Sequence, residues 1–448
     1  MPKELRDCEN SAPKVFIKTF GCQMNEYDSC RILKLLESCG YKSAPSYEDA
    51  SVILLNTCTV RKKAEDKVYS ALGRIKKIKN SRPDLTIAVG GCLAQQEAQN
   101  LIKRFPYVDL VFGTKALPRL PSLLESAKNG KKIVDVEMNS SREIYSGNSY
   151  SPAPCQVTAF VTIMQGCNNF CSYCIVPYVR GSEWSRLPSE IIKEVTHLAE
   201  SGIKEVTLLG QNVNSYGKTL TPKATFSELL TELNSIDGLE RIRFITSHPK
   251  DLSGELILSF KRLEKLCEHI HLPLQSGSNR ILKKMNRVYT REEYLEKISS
   301  LREIVPDIVI TSDIIVGFPG ETENDFNKTL SMIEEICFDD LFLFHYTDRP
   351  GTKASKISAK IPYKTKIERL NILNDRQREI SLKNNNRLAG ETFSVLFEGT
   401  SKKGFGDIAG RTRTNKVVNC KGPSELIGKT ALVKVGKANI HSLTGKLI

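Results

Sequence analysis

Six of the thirteen cysteines in this 448-residue chain are spaced for metal chemistry. Cys167, Cys171 and Cys174 stand as Cys-x3-Cys-x2-Cys in the run Gln165-Gly166-Cys167-Asn168-Asn169-Phe170-Cys171-Ser172-Tyr173-Cys174. Three thiolates this close can hold three corners of one iron–sulfur cubane, leaving the fourth iron open to a small molecule. A structural zinc would want a fourth protein ligand close by. The nearest candidate downstream, His197, is more than 20 residues away. Cys22, Cys58 and Cys92 lie 36 and 34 residues apart, in the contexts Phe20-Gly21-Cys22, Asn56-Thr57-Cys58 and Gly90-Gly91-Cys92. Each follows an apolar run, at the same point of a β-α unit. In a parallel sheet the strand C-termini share one edge, so these thiols should converge there on a second cluster. Gly21, Gly90 and Gly91 permit the tight backbone that would bring the sulfurs inward. The competing reading is three idle, buried cysteines.

The elements that must position these residues show as hydrophobic periodicity. Strands are expected at Val15–Ile17, Val52–Leu55, Thr86–Val89 and Leu110–Phe112. Helices are expected near 27–39, 64–75, 94–104 and 117–127. This alternation predicts a parallel-sheet α/β domain over residues 14–130. A Ser/Asn/Pro/Tyr-rich stretch suggests a linker over 131–154. Six further β-α units follow, with strands at Val157–Met164, Val206–Leu209, Ile242–Thr246, Ile270–Leu274, Ile308–Val316 and Leu341–His345. They predict a (β/α)6 partial barrel over residues 155–388, whose strand C-termini carry the chemistry. A polar helix over 364–387 closes that domain. Residues 389–448, with strands expected at Thr392–Phe397, Arg411–Val418 and Ala431–Val435, read as a small all-β barrel.

Composition narrows the class. Lys and Arg total 65 against 51 acids, a formal charge of +14. In residues 391–448 the ratio is ten to four. Such an excess suits a polyanion, and a small basic barrel can follow phosphates without reading sequence. No apolar run of 18 residues exists, so no membrane-spanning helix is expected. Residues 1–14 mix acids and bases, which argues against a secretory signal. Free thiols then imply a reducing compartment, and the chain is expected in the cytoplasm. Of the other cysteines, Cys30, Cys39, Cys267 and Cys337 sit in helical patterns and read as small core residues. Cys8, Cys155 and Cys420 share no spacing. Gly422 to Gly428-Lys429-Thr430 is one residue too long for a phosphate-binding P-loop, and no G-x-G-x-x-G follows the first strand.

The Cys-x3-Cys-x2-Cys motif after the first strand of a six-unit β/α domain resembles the radical S-adenosylmethionine (SAM) superfamily. There the open iron is chelated by the methionine part of the cofactor, whose reductive cleavage yields a 5′-deoxyadenosyl radical. A second three-cysteine set in a preceding domain narrows the resemblance to the methylthiotransferases, which insert sulfur into a C–H bond and cap it with methyl. The resemblance runs from about Val15 to Gly445. It implies two [4Fe-4S] clusters, held by Cys167, Cys171 and Cys174 and by Cys22, Cys58 and Cys92, with SAM bound at the first. The clusters carry the chemistry, so no residue is assigned as acid or base.

Within that family, Gly21-Cys22-Gln23-Met24-Asn25-Glu26-Tyr27-Asp28-Ser29, Cys174-Ile175-Val176-Pro177-Tyr178-Val179-Arg180-Gly181 and Gly410-Arg411-Thr412-Arg413-Thr414-Asn415 look like the class that acts on N6-isopentenyladenosine beside the tRNA anticodon. The alternatives are the class that acts on N6-threonylcarbamoyladenosine in tRNA, and a non-catalytic iron–sulfur RNA-binding protein. Trp184 departs from the family pattern, where a smaller residue is usual. The tail resembles the TRAM domain, a small RNA-binding barrel. The resemblance further implies SAM contacts at Gly210, Gln211, Ser247, Gln275 and Asp313, polar positions at successive strand ends. Arg180, Arg186, Arg411 and Arg413 are expected to dock the anticodon stem-loop. An electron donor and a sulfur source are required partners of unspecified identity, and a monomer is expected.

Overall fold

Every residue of Val52–Thr57 is buried, the mark of a strand covered on both faces. Its side chains alternate between two apolar layers. Ile53 and Leu55 pack with Val68, Leu72 and Ile75, whereas Val52 and Leu54 pack with Ile32, Leu36, Leu120 and Leu124. A computed structural model of the chain describes residues 12–60, 62–138, 156–401, 404 and 406–448. Cys8, Cys155, Lys402, Lys403 and most of the expected linker lie outside the described residues. The chain forms two compact units. One holds the chain up to residue 150 with 165–168 and 175–183, and the other holds 151–164, 169–174 and 184–448.

The first unit is a six-stranded sheet of β1 (Lys14–Thr19), β2 (Lys42–Ser43), β3 (Val52–Thr57), β4 (Thr86–Gly91), β5 (Leu110–Phe112) and β6 (Ile133–Asp135), in the order β2-β1-β3-β4-β5-β6. All pairs are parallel. Helices α1 (Gln23–Ser38), α2 (Lys62–Ser81), α3 (Cys92–Glu97), α4 (Gln99–Arg104) and α5 (Leu120–Lys128) cover its faces, and the short α6 (Val176–Arg180) belongs to the same unit. Two expectations are corrected. The sheet extends past residue 130, because β6 pairs with β5. The helix expected over 94–104 is broken at Ala98, whose φ of 46° no helix accommodates.

In the second unit, β7 (Thr158–Thr162), β8 (Glu205–Leu209) and β9 (Arg241–Phe244) form one parallel sheet. A second parallel sheet comprises β10 (His269–His271), β11 (Val309–Val316) and β12 (Asp340–His345). A parallel bridge from Ile242 to Leu266 and a Cys267 N–H···O=C Ile242 bond of 3.0 Å join the two sheets. The six strands thus run in chain order, interleaved with α7 (Pro188–Glu200), α8 (Phe226–Asn234), α9 (Gly254–Arg262), α10 (Asn279–Lys284), α11 (Arg291–Ile304) and α12 (Glu323–Ile336). The long α13 (Tyr363–Asn386) follows. No helix among the described residues is long and apolar enough to cross a membrane.

A closed five-stranded barrel ends the chain: β13 (Thr392–Thr400), β14 (Asp407–Thr412), β15 (Val417–Lys421), β16 (Thr430–Ala438) and β17 (Leu443–Leu447), in the order β13-β14-β15-β17-β16. The single strand expected over 411–418 is a hairpin. Asn415, at φ 65°, turns the chain between β14 and β15. Cys39 and Cys337 are exposed rather than core, and Cys267 precedes β10 outside any helix.

Candidate active site

Cys22, Cys58 and Cys92 follow β1, β3 and β4, three strands adjacent in the first sheet. Cys22 sits at the N-cap of α1 and Cys92 opens α3. Gly21 lies against Cys58 so closely that a Cβ on it would stand 2.2 Å from that of Cys58, and its φ of 115° suits only glycine. Gly91 likewise meets the Thr57 carbonyl, at 2.5 Å from an added Cβ. Asn56 ties the edge together, its amide donating to the Asn25 carbonyl at 2.8 Å and to Ser29 Oγ at 2.9 Å.

The thiols sense one another. The Cys22 thiol is lowered to about 6, first by its hydrogen bond with Cys58, against the opposing effect of burial, and then by Arg180 and the Asn25 N–H. Cys58 moves up as the partner that keeps its proton, with burial adding to the effect. Burial raises Cys92, while Arg180 beside it works the other way. Arg180 is 3% exposed; its Nη2 lies 2.8 Å from Asp28 Oδ2 and donates to Asn25 Oδ1 at 3.1 Å. Cys92 packs with Ile175 and Val179 of the segment that carries Arg180. No three His, Cys, Asp or Glu side chains among the described residues are grouped for one metal ion. A cubane places each thiolate on a different iron, and an all-thiol donor set beside a guanidinium suits iron–sulfur chemistry better than a hard cation.

The Cys-x3-Cys-x2-Cys segment is anchored piecewise. In the first unit, the Cys167 N–H donates to the Gly181 carbonyl at 3.2 Å. In the second, Cys174 N–H donates to the Cys171 carbonyl, and Ser172 donates its N–H to Met285 and its hydroxyl to Lys284. Arg287 Nη1 donates to Cys171 Sγ at 3.5 Å, while its Nε donates to Tyr289 Oη at 3.0 Å and Nη2 to the Pro273 carbonyl at 2.8 Å. This buried arginine was not singled out from sequence, since it lies outside every motif. The Cys171 sulfur contact emerges only when Met285-Asn286-Arg287 folds back on the loop.

A group of buried polar atoms at the C-terminal ends of β8, β9 and β10 has no hydrogen-bond partner among the described residues. It comprises Asn212 Oδ1, both amide atoms of Asn214, Ser247 Oγ, His248 Nε2 and Gln275 Oε1. Buried polar atoms are seldom left unpaired, so this group fits a polar ligand. Thr246 and Gln275 are both held at φ 70°, backbone strain of the kind found at binding sites. His248 is lowered to about 2 by burial and by Arg287, so its imidazole stays neutral. Of the other expected SAM contacts, Gly210 owes its lack of a side chain to Met164, whose Cγ would lie 2.5 Å from an added Cβ. Gln211 follows it, half-buried. Asp313 faces His271 Nε2 at 3.5 Å.

The four arginines expected to dock RNA are occupied within the protein. Arg180 is buried among the thiols. Arg186, 2% exposed, is a strut whose Nη1 meets Glu194 Oε2 and the Thr162 carbonyl, both at 2.7 Å. Arg413 grips Glu268 and the Leu266 carbonyl. Arg411 donates to Asn415 and lies 3.4 Å from Glu398. Arg180 and Arg186 are buried, whereas Arg413 and Arg411 stay part-exposed in their pairs.

Comparison with known proteins agrees with this architecture. Residues 14–113 match "Uncharacterized protein family UPF0004", 161–333 match the radical SAM superfamily and 386–448 match the TRAM domain. A tRNA-2-methylthio-N(6)-dimethylallyladenosine synthase of Syntrophus aciditrophicus is 49% identical over 97% of this chain and 94% of its own length. One from Caldicellulosiruptor saccharolyticus is 50% identical over 96% and 92%. The chain belongs to that family. Solved structures extend the likeness of fold. The radical S-adenosylmethionine methyltransferase TsrM from Kitasatospora setae aligns with a TM-score of 0.58 at 14% identity, over 87% of this chain and 79% of that one. The cobalamin-dependent enzyme OxsB aligns at 0.53 and 14%, over 85% and 57%.

Proposed function

We propose that this chain is a tRNA methylthiotransferase, which replaces the C2 hydrogen of N6-isopentenyladenosine beside the anticodon with a methylthio group. The gathering of Cys22, Cys58 and Cys92 at one sheet edge carries the reading. A radical SAM domain alone is compatible with many substrates, whereas a second thiol trio beside a buried cation supplies a place for sulfur delivery. The near full-length likeness to synthases named for this nucleoside supports the substrate.

In this reading Cys167, Cys171 and Cys174 hold one [4Fe-4S] cluster, and Cys22, Cys58 and Cys92 hold the other. When bound, the clusters and SAM supply the electron, the sulfur atom and the methyl group. The protein's own part is positioning. Arg287 fixes the Cys171 sulfur. Ser247, Gln275, Asn212 and Asn214 offer their unpaired atoms to the ribose and amino-acid parts of SAM. Neutral His248 is suited to hydrogen bonding rather than proton removal, consistent with hydrogen-atom abstraction that needs no base. Arg180 balances negative charge on the second trio. The modified base must leave its stack to reach the site, at a cost of a few kcal/mol.

Nucleoside mass analysis of tRNA tests the reading. Cells lacking the protein should accumulate N6-isopentenyladenosine without its methylthio derivative. Complementation with Cys171→Ala or Cys58→Ala should fail, but the purified Cys58→Ala protein should still release 5′-deoxyadenosine from SAM under reductant. Normal thiolation by either variant refutes the assigned roles.

A further inference from the structure

We propose that the C-terminal barrel meets the phosphate backbone of tRNA through a row of three lysines, Lys434, Lys446 and Lys421, that crosses three adjacent strands. The proposal rests on the tRNA reading above and locates its RNA-facing surface.

Most of the barrel's described cations fall on two faces. On one, cations are consumed by the β/α domain of the same unit. Arg413 pairs with Glu268, and Lys416 lies 2.9 Å from Asp339. From the other side, Arg241 donates to the Arg411 and Ser394 carbonyls, while Arg243 donates to those of Arg413 and Thr412 and pairs with Glu205. These groups are spent on attachment.

The second face differs. Lys434 of β16 stands directly opposite Lys446 of β17. Cys420 of β15 pairs with Gly445 of β17 in parallel, so the next residue, Lys421, stands beside Lys446. All three side chains are exposed. None has an ion-pair or hydrogen-bond partner through its ammonium among the described residues. Thr392 flanks Lys434 on the far side. Asp407 opposes Lys421 in register and is, among the described residues paired with the row, the one acid; its carboxylate leans toward Gly404.

Like charges directly opposite on a sheet repel. A solvated face would disperse them or interleave acids, as the attachment face does. With strands about 4.8 Å apart, the row spans about 10 Å, short enough for one stretch of RNA backbone. Phosphates there would turn repulsion into attraction without reading bases.

The test is salt-dependent tRNA binding by full-length protein carrying Lys421→Gln, Lys434→Gln and Lys446→Gln together. Each lost phosphate contact lowers the slope of log K against log salt by about 0.7–0.9, so the triple variant should lose about 2–3. A charge-matched control, Lys76→Gln/Lys77→Gln/Lys383→Gln, should keep the slope. The row variant should melt no lower than the unaltered protein, because substitution relieves repulsion. Unchanged slope and affinity in the row variant would overturn the proposal while leaving the tRNA reading intact. Failure of the unaltered protein to bind tRNA would overturn both.

Discussion

Replacing Arg180 with Gln removes the cation that lowers the Cys22 and Cys92 thiols and leaves Asp28 without its partner. A unit pair about 4 Å apart is worth about 4 kcal/mol at an effective dielectric of about 20. Breaking a fully buried pair costs about 3–5 kcal/mol. Asp28 is one-fifth exposed, so water recovers part of that, and about 2 kcal/mol is the expected loss. For a unit of about 150 residues this lowers the melting temperature by about 4–8 °C, measurable by calorimetry on cluster-free protein. Asp28→Asn in the same chain should restore part of the loss, because the stranded carboxylate is then gone. The cluster proposed on these thiols should respond differently. Removing positive charge disfavours its more negative, reduced form, so the potential falls by about 60 mV for each 1.4 kcal/mol of lost interaction. Asp28→Asn supplies no cation but removes the carboxylate that opposes Arg180 at both thiols, so it should reverse only part of the fall caused by Arg180→Gln. Melting within 1 °C of the unaltered protein (against the ~4–8 °C expected) and strictly additive single effects would refute this account of Arg180.

Two further outcomes follow from buried charge. Cys22, its thiol lowered to about 6 by Cys58 and Arg180 against burial, should be alkylated by iodoacetamide in the cluster-free protein with a rate that rises through pH 6 and is level by pH 8; a midpoint near 9 would exclude the thiol pair. Arg243→Met strands Glu205, both being about 5% exposed in their pair, and should loosen the barrel by about 3–5 kcal/mol. Hydrogen exchange should then rise over residues 407–421 but not in the first unit, and Glu205→Gln should recover part of the protection.

The β-α alternation was legible because parallel strands covered on both faces are apolar throughout, as Val52–Leu55 and Thr86–Val89 are. The strands run further than those apolar residues suggest. Asn56, Thr57 and Gly90 continue them, their polar groups satisfied by a network that no local pattern reveals. The thiol trio was visible through its repeated position after strands. The break at Ala98 was hidden by the residue type that best favours helix. The β14–β15 turn was hidden as well: its left-handed residue is Asn415, not glycine, within a Thr/Val run that reads as one strand. The last strand, with Gly445 at its centre, carried no strand signal.

The partners of the arginines were not legible for a different reason. Sequence counts cations but does not say which acids they will meet, and here the partners are remote. Asp28 lies 152 residues from Arg180, and Glu268 lies 145 from Arg413. Both arginines stand in motifs that attract a nucleic-acid reading, yet both are tied into the protein itself. The lysines of β15, β16 and β17 show the converse. They form no motif, being separated by 13 and 12 residues in the chain, and only the strand order of a closed barrel brings them into one row. A polyanion surface is therefore defined by the charge left unpaired after folding, and a cluster of basic residues in sequence predicts it only when no acid elsewhere in the chain reaches them first.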